Sequence, residues 1–325
     1  MLFVSVNLQI IRYLLDVAAG KRSISGATLL PHSLLAEALS LKNVGKDPAA
    51  KADQQVVEAQ WKTMVEKLKE SGALDNSMAV CDVSGSMGYL SGVRPDSKHV
   101  SPILPAVALS IVLSQVSREP WANSFITFSA NPAVVQLDPT AGLVETANKM
   151  VASDWSMNTN FNAVFTRLIL PTAIQHKIPK EEMIKRLFVF SDMEFDNSVI
   201  TDTGLRGAGS WTTEHEKVTS AFEAAGYDVP EIVYWNLQGA RGAKPVKADW
   251  EGVSVMSGFS SNMLKVFMEQ GTLDENVEEV EVEEQVEGED GVVLVKKKEK
   301  VKMTPVDVMK KALNKPSYST IVVVD

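Results

Sequence analysis

A chain of 325 residues with 45% hydrophobic residues has the composition of a soluble globular protein of one large domain or two, and its net charge of −9 argues against strong binding to a nucleic-acid backbone. Its one cysteine, Cys81, lies inside an apolar run and cannot form an internal disulfide, so an intracellular compartment is the expectation, cytoplasmic first with the nucleus as the alternative. No run approaches the ~20 apolar residues of a membrane span, and Asn7, Gln9, Arg12 and Asp16 interrupt the N-terminal apolar stretch where a signal peptide needs an unbroken core.

Residues 3–71 read as helical. "NLQIIRYLLDVAAGKR" (7–22) predicts one helix with Gly20 near its end. In "QQVVEAQWKTMVEKLKESG" (54–72), Val57, Trp61, Met64, Val65 and Leu68 fall on one helical face, and Gly72 is placed to end it. From residue 77 the pattern changes to short β-branched or aromatic runs alternating with helical stretches. "MAVC" (78–81) predicts a strand, and "LPAVALSIVLSQVS" (104–117), apolar nearly all round, a buried helix with Pro105 at its start. "SFITFSANPAVVQL" (124–137) predicts two strands around an Asn-Pro turn. "FNAVFTRLI" (161–169) predicts a helix with Phe161, Val164, Phe165 and Leu168 on one face. Strands follow at "RLFVFSD" (186–192), "EIVYWNL" (231–237), where Trp235 reads as core, and "GVSVM" (252–256). Helices are predicted near 212–225, 261–269 and 305–313, with a strand-like close at "TIVVVD". This alternation predicts an α/β fold: a doubly wound, mainly parallel six-stranded sheet with helices on both faces, one antiparallel edge strand from 133–137, and a short α-helical segment in front. The implied division is a helical segment over 1–76 and an α/β domain over 77–325.

Residues 274–302 hold eleven acids and five lysines, a net −6. With few large apolar residues, they read as a flexible, charged, solvated insertion. Lys177, Lys180, Lys185 and Arg186 form a small basic cluster that reads as a solvated face.

Two predicted strands end in aspartate, Asp82 and Asp192. "SMAVCDVSGSMG" (77–88) also leaves its strand with Asp82, Ser84 and Ser86 at alternate positions. In a doubly wound sheet, ligands sit beyond the carboxyl ends of the strands where strand order reverses. With the order 3-2-1-4-5, Asp82 and Asp192 reach one crevice, and "SMNTNF" (156–161) brings Thr159 to it from a loop before a helix, with Asn158 or Asn160 as its cap. Every side chain offered is an oxygen donor, which points away from zinc and towards a hard cation, Mg2+ first with Mn2+ or Ca2+ as substitutes. Each piece has a plainer reading as a turn or cap residue; the order of all three is what favours the metal. Asp154, Glu194 and Asp196 lie close in sequence and read as solvated loop acids, and Trp155 and Trp211 read as rim positions.

The D-x-S-x-S of Asp82, Ser84 and Ser86, followed by Thr159 before a helix and Asp192 after a later strand, resembles the metal-ion-dependent adhesion site (MIDAS) of von Willebrand factor A (vWA) domains, over about residues 77–270. "ISGATLLPH" (24–32), "VFSDMEFD" (189–196), "VPEIVYWNL" (229–237) and "GFSSN" (258–262) resemble an intracellular family of unknown function. That family joins a helical half to a vWA-like half and is distantly similar to Ro-type TROVE ribonucleoproteins. The short helical half here implies a truncated member or a fragment. The resemblance implies a vWA/Rossmann-like fold and direct coordination of the ion by Ser84 and Ser86. It implies that Thr159 binds directly or through water, that Asp82 and Asp192 act largely through waters, and that an acidic residue of a protein partner takes the sixth position.

A metal-dependent protein-interaction module, with no catalytic residues, is therefore the leading expectation. The four histidines, His32, His99, His176 and His215, form no triad or zinc spacing. "VSGSMG" is not G-x-S-x-G and lacks the lysine of a phosphate-binding loop. The alternatives are an RNA-binding component of TROVE type, carried only by the resemblance, and a metal-assisted hydrolase, for which no general base stands out.

Overall fold

The computed structural model describes residues 29–41, 48–72, 74–95, 97, 99–129, 131–153, 163–192, 217–238, 252–258, 279–288 and 291–300. Among the described residues two helices come first, α1 (Pro31–Leu41) and α2 (Pro48–Ser71). Strand β1 (Ser77–Cys81) leads to α3 (Ile103–Val116), and β2 (Ser124–Thr127) and β3 (Val134–Gln136) form the two arms around the Asn-Pro turn. Next come α4 (Leu143–Val151) and α5, which opens as a π-helix over Val164–Ile169 and continues as an α-helix over Leu170–His176. The sheet is completed by β4 (Arg186–Ser191), β5 (Glu231–Asn236) and β6 (Val253–Ser257), with α6 over 217–224 between β4 and β5.

The six strands hydrogen-bond in the order β3-β2-β1-β4-β5-β6. All neighbours are parallel except β2 and β3, which pair antiparallel with Ser124 opposite Gln136. This is the expected doubly wound sheet, with its antiparallel strand at the expected edge. The central strands are buried at every position, as a parallel sheet covered on both faces requires, and the period of two divides their side chains between two cores. Ala79, Cys81, Phe188, Phe190, Val233 and Trp235 join the core beneath α1–α4. Met78, Val80, Leu187, Val189, Ile232 and Tyr234 join the opposite core with α5 and α6.

The helical face predicted on α2 is the one that is buried, with Val57, Trp61, Met64, Val65 and Leu68 each no more than 6% exposed. It shares a core with α1, α3 and the sheet. Two polar contacts fix it there: Trp61 Nε1 donates to Gln115 Oε1 of α3 at 2.7 Å, and Glu58 Oε1 accepts the Leu143 N–H at the start of α4 at 2.9 Å. Helix α3 is buried on all sides, as its continuous apolar sequence implies.

Two sequence expectations are corrected. On α5, Ile169 and not Leu168 is fully buried, because a π-helix turns more slowly than 3.6 residues and moves the buried stripe on by one position. Arg186 does not belong to a solvated basic face: its side chain is 6% exposed, and it pairs with Glu231 across the β4–β5 ladder at 3.5 Å. Within the charged segment 274–302, β7 (Glu279–Gly288) and β8 (Gly291–Lys300) pair as antiparallel strands. The register explains it: Glu279, Glu281 and Glu283 stand opposite Lys300, Lys298 and Lys296, and Val286 opposite Val293. Opposite charges across a strand pair favour pairing, so the charge density that reads as solvated is the hairpin's complementarity. The helices predicted at 7–22, 261–269 and 305–313 and the closing strand-like run lie outside the described residues.

Candidate metal centre

The chain runs from β1 out to β2 and β3 on one side and returns to β4 on the other, so strand order reverses between β1 and β4. Both candidate aspartates stand at that point. Cys81 pairs with Phe190, and the ladder continues one residue further, the Asp82 N–H donating to the Phe190 carbonyl at 3.0 Å. Asp82 and Asp192 therefore leave adjacent parallel strands at the same sheet edge, 2% and 1% exposed.

The Asp82 carboxylate is held at both oxygens. Oδ1 accepts the Ser84 backbone N–H at 2.9 Å, a tight turn that swings the loop back over the strand end. Oδ2 accepts the Ser191 hydroxyl at 2.7 Å. Burial pushes the Asp82 carboxyl above its ordinary value. The Ser84 and Ser191 hydrogen bonds act in the opposite sense, and the charge of Asp192 adds to the rise. A cation beside the buried Asp82 carboxylate would offset that cost of ionisation.

Beyond Asp82 the chain makes a 3-10 turn over Gly85–Met87. Ser84 is half-buried and Ser86 exposed, and their hydroxyl oxygens lie 3.1 Å apart. Met87, completely buried, pins the turn into the core. Gly88 has φ 91° and ψ −156°, a conformation reserved for glycine. A Cβ there would stand 2.0 Å from Ser101 Oγ, the hydroxyl that donates to the Met87 carbonyl at 2.8 Å. Ser101 thus closes the loop that opens at Asp82.

The donor set fits a hard cation. An octahedral ion with bonds of about 2.1 Å has neighbouring ligand oxygens about 3 Å apart, the spacing of the Ser84 and Ser86 hydroxyls. Among the described residues no three His, Cys, Asp or Glu side chains converge, here or elsewhere. Cys81, next to Asp82, is fully buried and its thiol is pushed up to about 12, chiefly by desolvation, which leaves it unreactive at neutral pH.

Of the five predicted ligands, the structure brings together Asp82, Ser84, Ser86 and Asp192. Thr159 lies outside the described residues, as do Asp154, Trp155, Glu194, Asp196 and Trp211. Trp235 is core, as its strand position implies, its ring tilted against Phe190 with centroids 5.6 Å apart. Sequence reasoning missed Ser191. Its local signal is slight, a serine closing an apolar strand one residue before Asp192; its partner follows only from the pairing of β1 with β4.

Residues 76–313 match the family model described as Domain of unknown function (DUF7788), and residues 4–74 match Domain of unknown function (DUF2828). An uncharacterized protein, L728, of Acanthamoeba polyphaga mimivirus is 32% identical over 266 residues, covering 82% of this chain and 41% of that protein. The chain thus spans about two fifths of the length of this curated relative. The crystal structure of the Deinococcus radiodurans RO (RSR) protein aligns with 82% of this chain and 48% of its own, at a TM-score of 0.45 and 18% identity. The fold assignment rests on the strand order and register rather than on this similarity. Because the first of these matches takes in well over half of the sequence, the chain belongs to the DUF7788 family.

Proposed function

We propose that the chain is a divalent-cation-dependent protein-interaction module and not an enzyme, with Asp82, Ser84, Ser86, Thr159 and Asp192 holding Mg2+. The observation that carries this reading is that two buried aspartates leave adjacent strands at the sheet's switch point, one of them bonded to the Ser84 turn, whose hydroxyl lies 3.1 Å from that of Ser86. When bound, the ion supplies concentrated positive charge on the surface of an otherwise acidic protein, which attracts a carboxylate from outside. Asp82 and Asp192 balance part of that charge, and the loop from Ser84 to Gly88 presents the hydroxyls without further rearrangement. Arg186, buried against Glu231, lends nothing to the alternative RNA reading, which is carried by the resemblance alone.

The reading is tested with synthetic peptides bearing an exposed Asp or Glu, each paired with its Asn or Gln counterpart. Some acidic peptides are expected to be retained in Mg2+ or Mn2+, released by chelator, and lost on amide replacement. Retention that survives chelator, or that the amide counterparts share, contradicts it.

A further inference from the structure

Ser191 belongs to no ligand motif, yet its hydroxyl is the second anchor of the Asp82 carboxylate, at 2.7 Å. It is 1% exposed and ends β4, the strand next to β1. Its own backbone is fixed from the far side, where the Leu237 N–H donates to the Ser191 carbonyl at 2.9 Å. The other anchor, the Ser84 N–H, belongs to the loop that Asp82 must itself orient. Among the described residues, Ser191 is the one that refers the carboxylate to the rigid sheet.

We propose that Ser191 is a positioning residue for the cation site. Its hydroxyl sets the rotation of the Asp82 carboxylate, so that Oδ1 meets the Ser84 amide and the loop presents the Ser84 and Ser86 hydroxyls as a pair. This rests on the cation-site reading above. Without the hydroxyl, Oδ2 loses its donor from β4 and the carboxylate turns with the loop. Groups that orient metal ligands from outside the ligand set typically change affinity 10–100-fold.

The test is calorimetric titration of the whole chain with Mg2+ and with Mn2+, beside thermal melts without ion. Ser191→Ala is expected to bind both ions about tenfold more weakly, and Ser191→Thr, which keeps the hydroxyl on a strand-favouring residue, within about threefold of wild type. Where Ser191→Ala fails to fold, Ser191→Thr and Ser191→Val supply the same comparison, hydroxyl against methyl at nearly equal volume. Ser117→Ala, which removes a buried hydroxyl that donates to the Ser77 carbonyl at the opposite end of β1, serves as the control for a merely structural effect and is expected to leave affinity unchanged. Equal affinity in wild type and Ser191→Ala, or equal weakening in the alanine and threonine variants, overturns the positioning role while leaving the cation site standing. A wild-type chain that binds neither ion overturns the site itself, and the two failures are thereby distinguished.

Discussion

Asp82→Ala is expected to weaken Mg2+ binding roughly 100-fold, the upper end of the range for groups that orient or neutralise an ion site. Asp82 is the hub through which β4 and the Ser84 turn are joined, and on the proposed reading it is also a charge facing the ion. Asp192→Asn keeps an oxygen and loses a charge, so it should cost about tenfold. The fold should survive both changes. Alanine at 82 removes hydrogen bonds to a charged group, each worth about 1.5–3 kcal/mol. It also removes one of two neighbouring buried carboxylates, which offsets much of that loss. Thermal melts without ion should therefore place Asp82→Ala within a few degrees of wild type, while titration calorimetry separates them. Equal cation binding by the two would leave the crevice as scaffold alone.

Gly88→Ala is expected to have the largest effect on the ion-free fold. Its backbone lies in a region that other residues enter only at a cost of roughly 1–3 kcal/mol. Its new Cβ would also stand 2.0 Å from Ser101 Oγ and 3.3 Å from Ser101 Cβ. Ser101 must rotate away, and the bond that closes the loop on Met87 is lost. A fall in Tm of several degrees should follow, with weaker cation binding because the Ser84–Ser86 pair sits on that loop. Gly88→Ala combined with Ser101→Gly should recover the steric part of the loss and not the backbone part. Full recovery in the double variant would show that Gly88 is chosen for space alone; no loss in the single variant would show that the loop is not locked there.

The sheet was legible from sequence because its strands are short, apolar and separated by helical stretches. A parallel sheet buried on both faces demands that pattern, and aspartates closing two such strands marked where the site would form. The antiparallel edge at Val134–Gln136 followed from the Asn-Pro turn. What escaped was set by register. The bond from Ser191 to Asp82 joins positions 109 apart, so no local spacing carries it. Arg186 sits among lysines in sequence but opposite Glu231 in the sheet. The hairpin at 279–300 combines two segments that each look solvated, and acid meets base only once they pair.

Anomalous diffraction from crystals grown in Mn2+ tests the central claim most directly. The account predicts one strong peak at the carboxyl edge of β1 and β4, bonded to the Ser84 and Ser86 hydroxyls at about 2.1–2.2 Å, with Asp82 and Asp192 within water-bridged reach. A site empty at millimolar Mn2+, or an ion bound elsewhere while Ser84 and Ser86 keep only their mutual hydrogen bond, would contradict it.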